Sequence, residues 1–190
     1  MNNAGSVLTH LTQPDRLWSR SECLSHPSPV PASYGLYGWY FHELPTGVDG
    51  SGCVRKHGCT LLYVGIAPSK PVGHNGLPST QSLRNRIRMH YAGNAEGSTL
   101  RRSLGVLLRT KLKLQADLTR KSKSFGEGEA RLSDWMERYA YVSWIEHPEP
   151  WAIEKQVIER LDLPLNLAHN RAHPFWMNLT EARSRRRTVP

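Results

Sequence analysis

The chain has 190 residues, 25 of them Lys or Arg against 16 Asp or Glu, for a formal net charge of +9, and 38% of the residues are apolar. This is one domain's length with enough large side chains for a core; a collagen-like chain is excluded and wholesale disorder is argued against. No apolar run reaches the ~18 residues that span a bilayer, the opening residues lack the basic and apolar regions of a secretory signal, and the three cysteines Cys23, Cys53 and Cys59 are too few for a disulfide framework, so a reducing, cytoplasmic setting is expected.

Residues 1–33 are punctuated by Pro14, Pro27, Pro29 and Pro31 and read as a flexible leader in which only 15–24 favours a short helix. Residues 34–41 (YGLYGWYF) read as an aromatic strand, and 61–66 (LLYVGI) as its antiparallel return after a Gly-rich connection at 45–59. A Pro/Gly loop follows at 67–80. Leu83, Ile87 and Tyr91 recur at i, i+4 and i+8 and predict a helix. Ser98 or Thr99 can cap a second helix carrying Leu100, Leu104, Leu107 and Leu108. Residues 119–130 read as a polar loop, Ser133 as the cap of a short helix ending at Tyr139, and 141–145 (YVSWI) as a third strand. Pro150 then fits the first turn of a helix with Ile153, Val157 and Leu161 on its buried face. This order is α+β: a small antiparallel sheet of about three strands, flanked by helices. The main domain is expected over 34–176, with a basic helical insertion at about 92–133 and a basic tail at 177–190.

The charge is concentrated. Residues 84–123 hold eleven cations (Arg84, Arg86, Arg88, Arg101, Arg102, Arg109, Lys111, Lys113, Arg120, Lys121, Lys123) and two acids, Glu96 and Asp117, so this stretch alone nets +9. Such a field attracts polyanions, and nucleic acid is the natural partner because each neutralised phosphate releases counterions. Arg84, Arg88, Arg101, Arg102, Arg109, Lys111 and Lys113 are therefore the candidate nucleic-acid contacts, with Arg109 and Lys113 expected at i, i+4 on one helix edge. Arg183, Arg185, Arg186 and Arg187 add a smaller excess in the tail.

Chemistry-bearing residues follow one another along the chain. Gly35-Leu36-Tyr37 and Tyr63-Val64-Gly65 each place a Tyr near a Gly on a strand, and pairing can bring the two tyrosines together. Arg86 and His90 are i, i+4 neighbours on one helix side; the guanidinium fork suits a phosphate, and the imidazole can bond one or shuttle a proton. Glu154 borders the buried face of a later helix, where a carboxylate suits a hard cation. Asn166, between Leu165 and Leu167, is expected to be buried and hydrogen-bonded. Cys53, His57 and Cys59 lack a fourth zinc ligand, and His169 with His173 reads as a hydrogen-bonding turn.

In this order, the GLY, YVG, RxxxH, helix-Glu and late-Asn elements resemble the GIY-YIG nuclease superfamily over roughly 34–170. By motif position Tyr37 and Tyr63 match the signature tyrosines, Arg86 the helix arginine, His90 the histidine of several branches, Glu154 the metal-binding glutamate and Asn166 the late asparagine. The resemblance implies metal-dependent hydrolysis of DNA, duplex or branched, with Mg²⁺ or Mn²⁺ on Glu154, Arg86 on the phosphate and Tyr37, or else Tyr63, as general base. It implies no membrane and no organic cofactor. Two departures stand out: 25 residues separate the tyrosines, and the lysine that often follows YIG is missing, leaving Lys70 or Arg84 as substitutes. A nucleic-acid-binding module on the same fold, degenerate or inactive as an enzyme, is the alternative.

Overall fold

The computed structural model describes residues 4–69, 81–115 and 124–185. Its helices are α1 (Ala4–Thr12), α2 (Arg20–Cys23), α3 (Leu83–Ala92), α4 (Thr99–Leu107), α5 (Gly128–Tyr139), α6 (Pro150–Ile158) and α7 (Trp176–Arg185). The strands are β1 (Gly35–Phe41), β2 (Arg55–Lys56), β3 (Cys59–Ala67) and β4 (Ala140–Glu146), in the order β2-β3-β1-β4, all neighbours antiparallel. The sheet thus has four strands rather than about three. The added β2 is only two residues long, too short to leave a period in the sequence.

All seven residues of β1 are buried because helices cover both faces of the sheet. Alternation sends Tyr37, Trp39 and Phe41 to one face, where they join Leu83, Ile87 and Tyr91 of α3, Leu100 and Leu104 of α4, and Leu132 and Met136 of α5. Leu36 and Tyr40 face the other way with Leu61 and Val64, against Val7 and Leu11 of α1 and Val157 and Ile158 of α6. An antiparallel strand packed on both sides shows a continuous apolar run instead of an apolar/polar alternation, as 35–41 does.

The segment read as a flexible leader is folded. Val7 and Leu11, at i and i+4 on α1, have no exposed surface, and the Tyr40 hydroxyl donates to the Leu11 carbonyl. Trp18 N–H donates to Val142 O and Val142 N–H to Trp18 O, both at 2.9 Å, which adds a bridge at the outer edge of β4. The Arg16 guanidinium stacks 3.8 Å from the Trp18 ring centroid. The prolines mark turns between these anchored points; proline frequency alone concealed a single helical turn of apolar spacing.

Two helices differ from expectation. α5 begins at Gly128, five residues before Ser133, with Leu132 already buried. α4, capped by Ser98 as expected, ends at Leu107, and residues 108–113 form turns with Lys113 at φ 50°. Arg109 and Lys113 therefore do not share a helix edge. Much of the 119–130 loop, together with Lys70, Arg120, Lys121 and Lys123, lies outside the described residues. Among the described residues no helix is long and apolar enough to cross a membrane.

Because α1 closes one face of the sheet, Leu11→Ala is expected to lower unfolding free energy by about 2–5 kcal/mol, the usual cost of a buried Leu→Ala cavity. Urea titration of the full chain checks this; a loss below about 0.5 kcal/mol, the range of an ordinary surface substitution, would show that α1 is not part of the cooperative core.

Candidate active site

A cleft of about 210 Å³ opens at the edge where β1 and β3 meet α3 and α6, lined by Tyr37, Tyr63, Gly65, Ile66, Ser69, Gln81, Arg86 and Glu154. Four of the residues singled out in the sequence thus face one space. Each reaches it for a local reason. Tyr37 pairs with Gly65 across the β1–β3 ladder, and its ring lies over that glycine so closely that a Cβ there would sit 2.4 Å from the phenolic oxygen. Gly65 is the only residue type that leaves Tyr37 this position. Tyr63 stands two residues away on β3, half-buried, its hydroxyl 3.3 Å from Thr99 Oγ1 at the start of α4.

Ser82 caps the start of α3, its side chain accepting from Asn85 N–H. Its apolar stripe docks on the sheet and turns Arg86 and His90 toward Tyr37. Arg86 Nε donates to the Tyr37 hydroxyl at 3.4 Å and Nη1 to Gly97 O at 3.1 Å. His90 has no exposed surface. Its Nε2 is 2.8 Å from the Tyr37 hydroxyl and its Nδ1 is 2.7 Å from Ser98 Oγ. Burial, reinforced by Arg86 and Arg101, holds the His90 pKa well below the ordinary histidine value, so the ring is neutral at neutral pH. Burial, followed by the neighbouring Tyr63, pushes the Tyr37 pKa far above the ordinary tyrosine range. The ring lies behind Tyr37, with Tyr37 and Ser98 as its partners, so of the two sequence readings of His90, bonding a phosphate or shuttling a proton, the geometry is compatible with the second.

Glu154 enters the cleft from α6, which Pro150 opens. Its side chain is 21% exposed, and one carboxylate oxygen lies 3.8 Å from His169 Nε2. Burial raises its pKa, an effect that His169 only partly opposes. Asn166 is outside the cleft. Its Oδ1 accepts from Val64 N–H at 2.9 Å and its Nδ2 donates to Val64 O at 2.8 Å, so it brackets β3 as an added strand residue would. It holds Tyr63 and Gly65 in register and does not touch the reacting groups.

The candidate nucleic-acid contacts separate into different environments. Arg101 is corrected from a surface contact to a core residue. Its guanidinium is fully buried, with Nε and Nη2 donating to Glu129 Oε2 at 3.1 and 2.8 Å and Nη1 to the carbonyls of His90 and Tyr91 at 3.3 Å. Burial would raise the Glu129 pKa, but the N–H groups of Ala95 and Phe125, then Arg101, bring it below the usual carboxylate value. Arg84 Nε donates to Val30 O at 2.7 Å, which ties it to the folded leader. Arg102 is half-buried and bonds Ala95 O and Glu96 O, both at 3.2 Å. Lys111 pairs with Glu43, Lys113 and Arg88 are exposed, and Arg109 is half-buried. A recess of about 370 Å³ gathers Lys111 and Lys113 with Arg131 and Arg138 of α5. Those two arginines lie beyond the basic stretch and were missed; their i, i+7 spacing around Trp135 was the available signal.

Among the described residues no group of three or more His, Cys, Asp or Glu side chains converges as a metal cluster. Cys53 and Cys59 are buried thiols, and burial pushes Cys53 up to about 12, away from the thiolate that zinc needs. His57 Nε2 donates to Pro14 O at 3.0 Å. His173 bonds Asp162 while His169 faces Glu154, so this histidine pair is split.

The sequence matches the family model of the GIY-YIG catalytic domain over residues 35–185. No curated protein and no solved structure matches it. The matched stretch holds β1, β3, α3 and α6, the elements that frame the cleft, and covers well over half of the chain. The chain belongs to the GIY-YIG catalytic-domain family, a nuclease superfamily.

Proposed function

We propose that the protein is a metal-dependent DNA endonuclease that hydrolyses a phosphodiester bond in this cleft. The observation that carries the reading is the Tyr37 hydroxyl: it faces the cleft that holds Tyr63, Arg86 and Glu154, while a buried neutral imidazole lies 2.8 Å behind it.

Ser98 Oγ accepts from Arg101 N–H at 3.0 Å, and its second lone pair suits the His90 Nδ1–H. His90 Nε2 is then an acceptor, and the Tyr37 hydroxyl donates to it. The Tyr37 oxygen accepts from Arg86 Nε and keeps a lone pair for a water in the cleft. As that water attacks phosphorus, its proton passes to the Tyr37 oxygen and the phenolic proton passes to His90 Nε2. Concerted transfer avoids the phenolate that burial disfavours; burial, Arg86 and Arg101 also disfavour charge on His90, so the imidazolium is transient and returns its proton through Tyr37 once the phosphate product has formed. Arg86 offers its guanidinium to phosphate oxygens whose charge grows in the transition state. Tyr63, with the weaker 3.3 Å link to Thr99 and no imidazole behind its hydroxyl among its described hydrogen bonds, orients the substrate.

Glu154 fits a hard divalent cation. Its carboxylate is largely buried in the cleft with only the longer 3.8 Å contact to His169, and Mg²⁺ commonly needs only one or two protein carboxylates beside water and substrate phosphate. Glu154 would hold Mg²⁺ or Mn²⁺, which would supply charge stabilisation at the phosphate and the leaving oxygen. The raised Glu154 pKa means that cation binding weakens on acidification earlier than an ordinary glutamate would dictate.

Glu154→Ala is expected to abolish Mg²⁺- and Mn²⁺-dependent plasmid nicking while the melting temperature stays close to the parental one. A folded variant that nicks at the parental rate would remove Glu154 from the metal site. Parental protein that binds DNA yet never nicks it in either ion would favour the binding-module alternative.

Arg86→Ala is expected to lower kcat by about 10²–10³, the scale of losing one transition-state donor, with a much smaller change in KM. Arg86→Lys recovers only part of this, because a point charge does not reproduce the guanidinium fork. A rise in KM at unchanged kcat would make Arg86 a simple phosphate anchor.

A further inference from the structure

The α4/α7 face gathers two half-buried arginines, Arg102 and Arg183, beside the cleft. Thr99, Arg102 and Ser103 occupy i, i+3 and i+4 of α4 and so share one side of that helix. Tyr63 meets this side through Thr99. α7 docks on it, anchored by the fully buried Leu179, and brings Arg183 to Ser103. Arg183 is half-buried, and its one described hydrogen bond is a long 3.5 Å contact from Nη1 to the neutral Ser103 Oγ. Arg102 lies close enough to repel it, and Tyr63 is the other group that acts on its charge. Arg102 itself spends its described bonds on backbone carbonyls, and the Glu96 carboxylate offsets its burial only in part.

Bringing two guanidinium groups together while withdrawing them from water costs energy twice, through lost hydration and through like-charge repulsion. An anion held between them offsets both, and a guanidinium fork matches the oxygens of a phosphate. We propose that Arg102 and Arg183 form a phosphate subsite on the α4/α7 face, beside Tyr63 and outside the cleft, which holds a backbone phosphate flanking the one to be cut. This rests on the nuclease reading above and adds the direction in which the strand leaves the cleft: past Tyr63 and along α7. In sequence Arg185, Arg186 and Arg187 follow. The subsite is assembled by the C-terminal helix, far in sequence from the basic stretch at 84–123.

The test uses the full chain with Arg183→Met, which keeps the apolar stem and removes the charge, and Arg183→Lys, which keeps the charge. Binding to a short DNA duplex is titrated at several salt concentrations with chelator present, and steady-state nicking is followed in Mg²⁺. Arg183→Met is expected to lower the slope of log K against log salt by about 0.9, the value for one lost phosphate contact, and to raise KM without lowering kcat. Arg183→Lys should restore most of the slope. The effect should be equal on two unrelated sequences, because phosphate contacts position rather than specify. A folded Arg183→Met protein with the parental slope and KM overturns the subsite. If that variant does not fold, the parental protein decides: replacing single phosphates that flank the nick with neutral methylphosphonates should weaken binding at one position, and uniform binding across all of them overturns the proposal. Parental protein that neither binds nor nicks DNA would instead defeat the nuclease reading, whereas parental nicking with an indifferent Arg183→Met defeats the subsite alone.

Discussion

His90 has no exposed surface, so neither ring nitrogen can rely on water, and each must find its hydrogen bond inside the protein. Nε2 finds the Tyr37 hydroxyl on β1 and Nδ1 finds Ser98 Oγ at the start of α4. This one imidazole therefore joins the central strand, α3 and α4. The same Ser98 oxygen caps α4 through Arg101 N–H, so the geometry that satisfies His90 also sets where α4 begins. One turn before His90 on α3, Arg86 is carried to the Tyr37 oxygen, and Gly65 leaves the space that the Tyr37 ring fills. The cleft's chemistry and the docking of two helices rest on a single buried chain of hydrogen bonds. Such a chain is rigid when every member is satisfied and costly when one is removed.

Charge is handled by sorting. The stretch at 84–123 carries the whole formal excess, yet its members do different work. Arg101 is a core residue whose donors are taken up by Glu129 and by backbone carbonyls, and Arg84 pins α3 to the folded leader. Lys111 is matched by Glu43. A net charge read from sequence correctly describes the far field that draws in a polyanion, but it does not mark which cations meet solvent. Tertiary partners decide that: Glu129, 28 residues away, takes Arg101 into the core, and Val30 O, 54 residues away, holds Arg84 to the leader.

Much of the fold was legible because the strongest signals are local. The aromatic run at 34–41, which forms β1 from Gly35, its partner at 61–66, the Leu83/Ile87/Tyr91 stripe and Pro150 at a helix start all appear as elements of the fold. Tyr37, Tyr63, Arg86 and Glu154 were legible as a set, since their order along the chain marks the family and the structure gives them one cleft. What stayed hidden depends on long-range pairing. The leader's packing needs Val142 and Leu11 to meet elements far along the chain, Asn166 acts through the backbone of Val64, and β2 exists only because β3 offers an edge. Sequence leaves His90 between bonding a phosphate and shuttling a proton, because spacing gives the side of a helix and not what lies across from it.

The account's central claim is that the Tyr37 hydroxyl passes the proton of the attacking water to His90. The most direct measurement is the single-turnover nicking rate of Tyr37→Phe at saturating DNA and Mg²⁺, with DNA affinity measured alongside it in chelator. The account predicts a rate loss of about 10²–10⁴, the range for removing a positioned general base, at nearly unchanged affinity. A folded Tyr37→Phe protein that binds DNA as the parent does and cuts it at the parental rate would contradict the account.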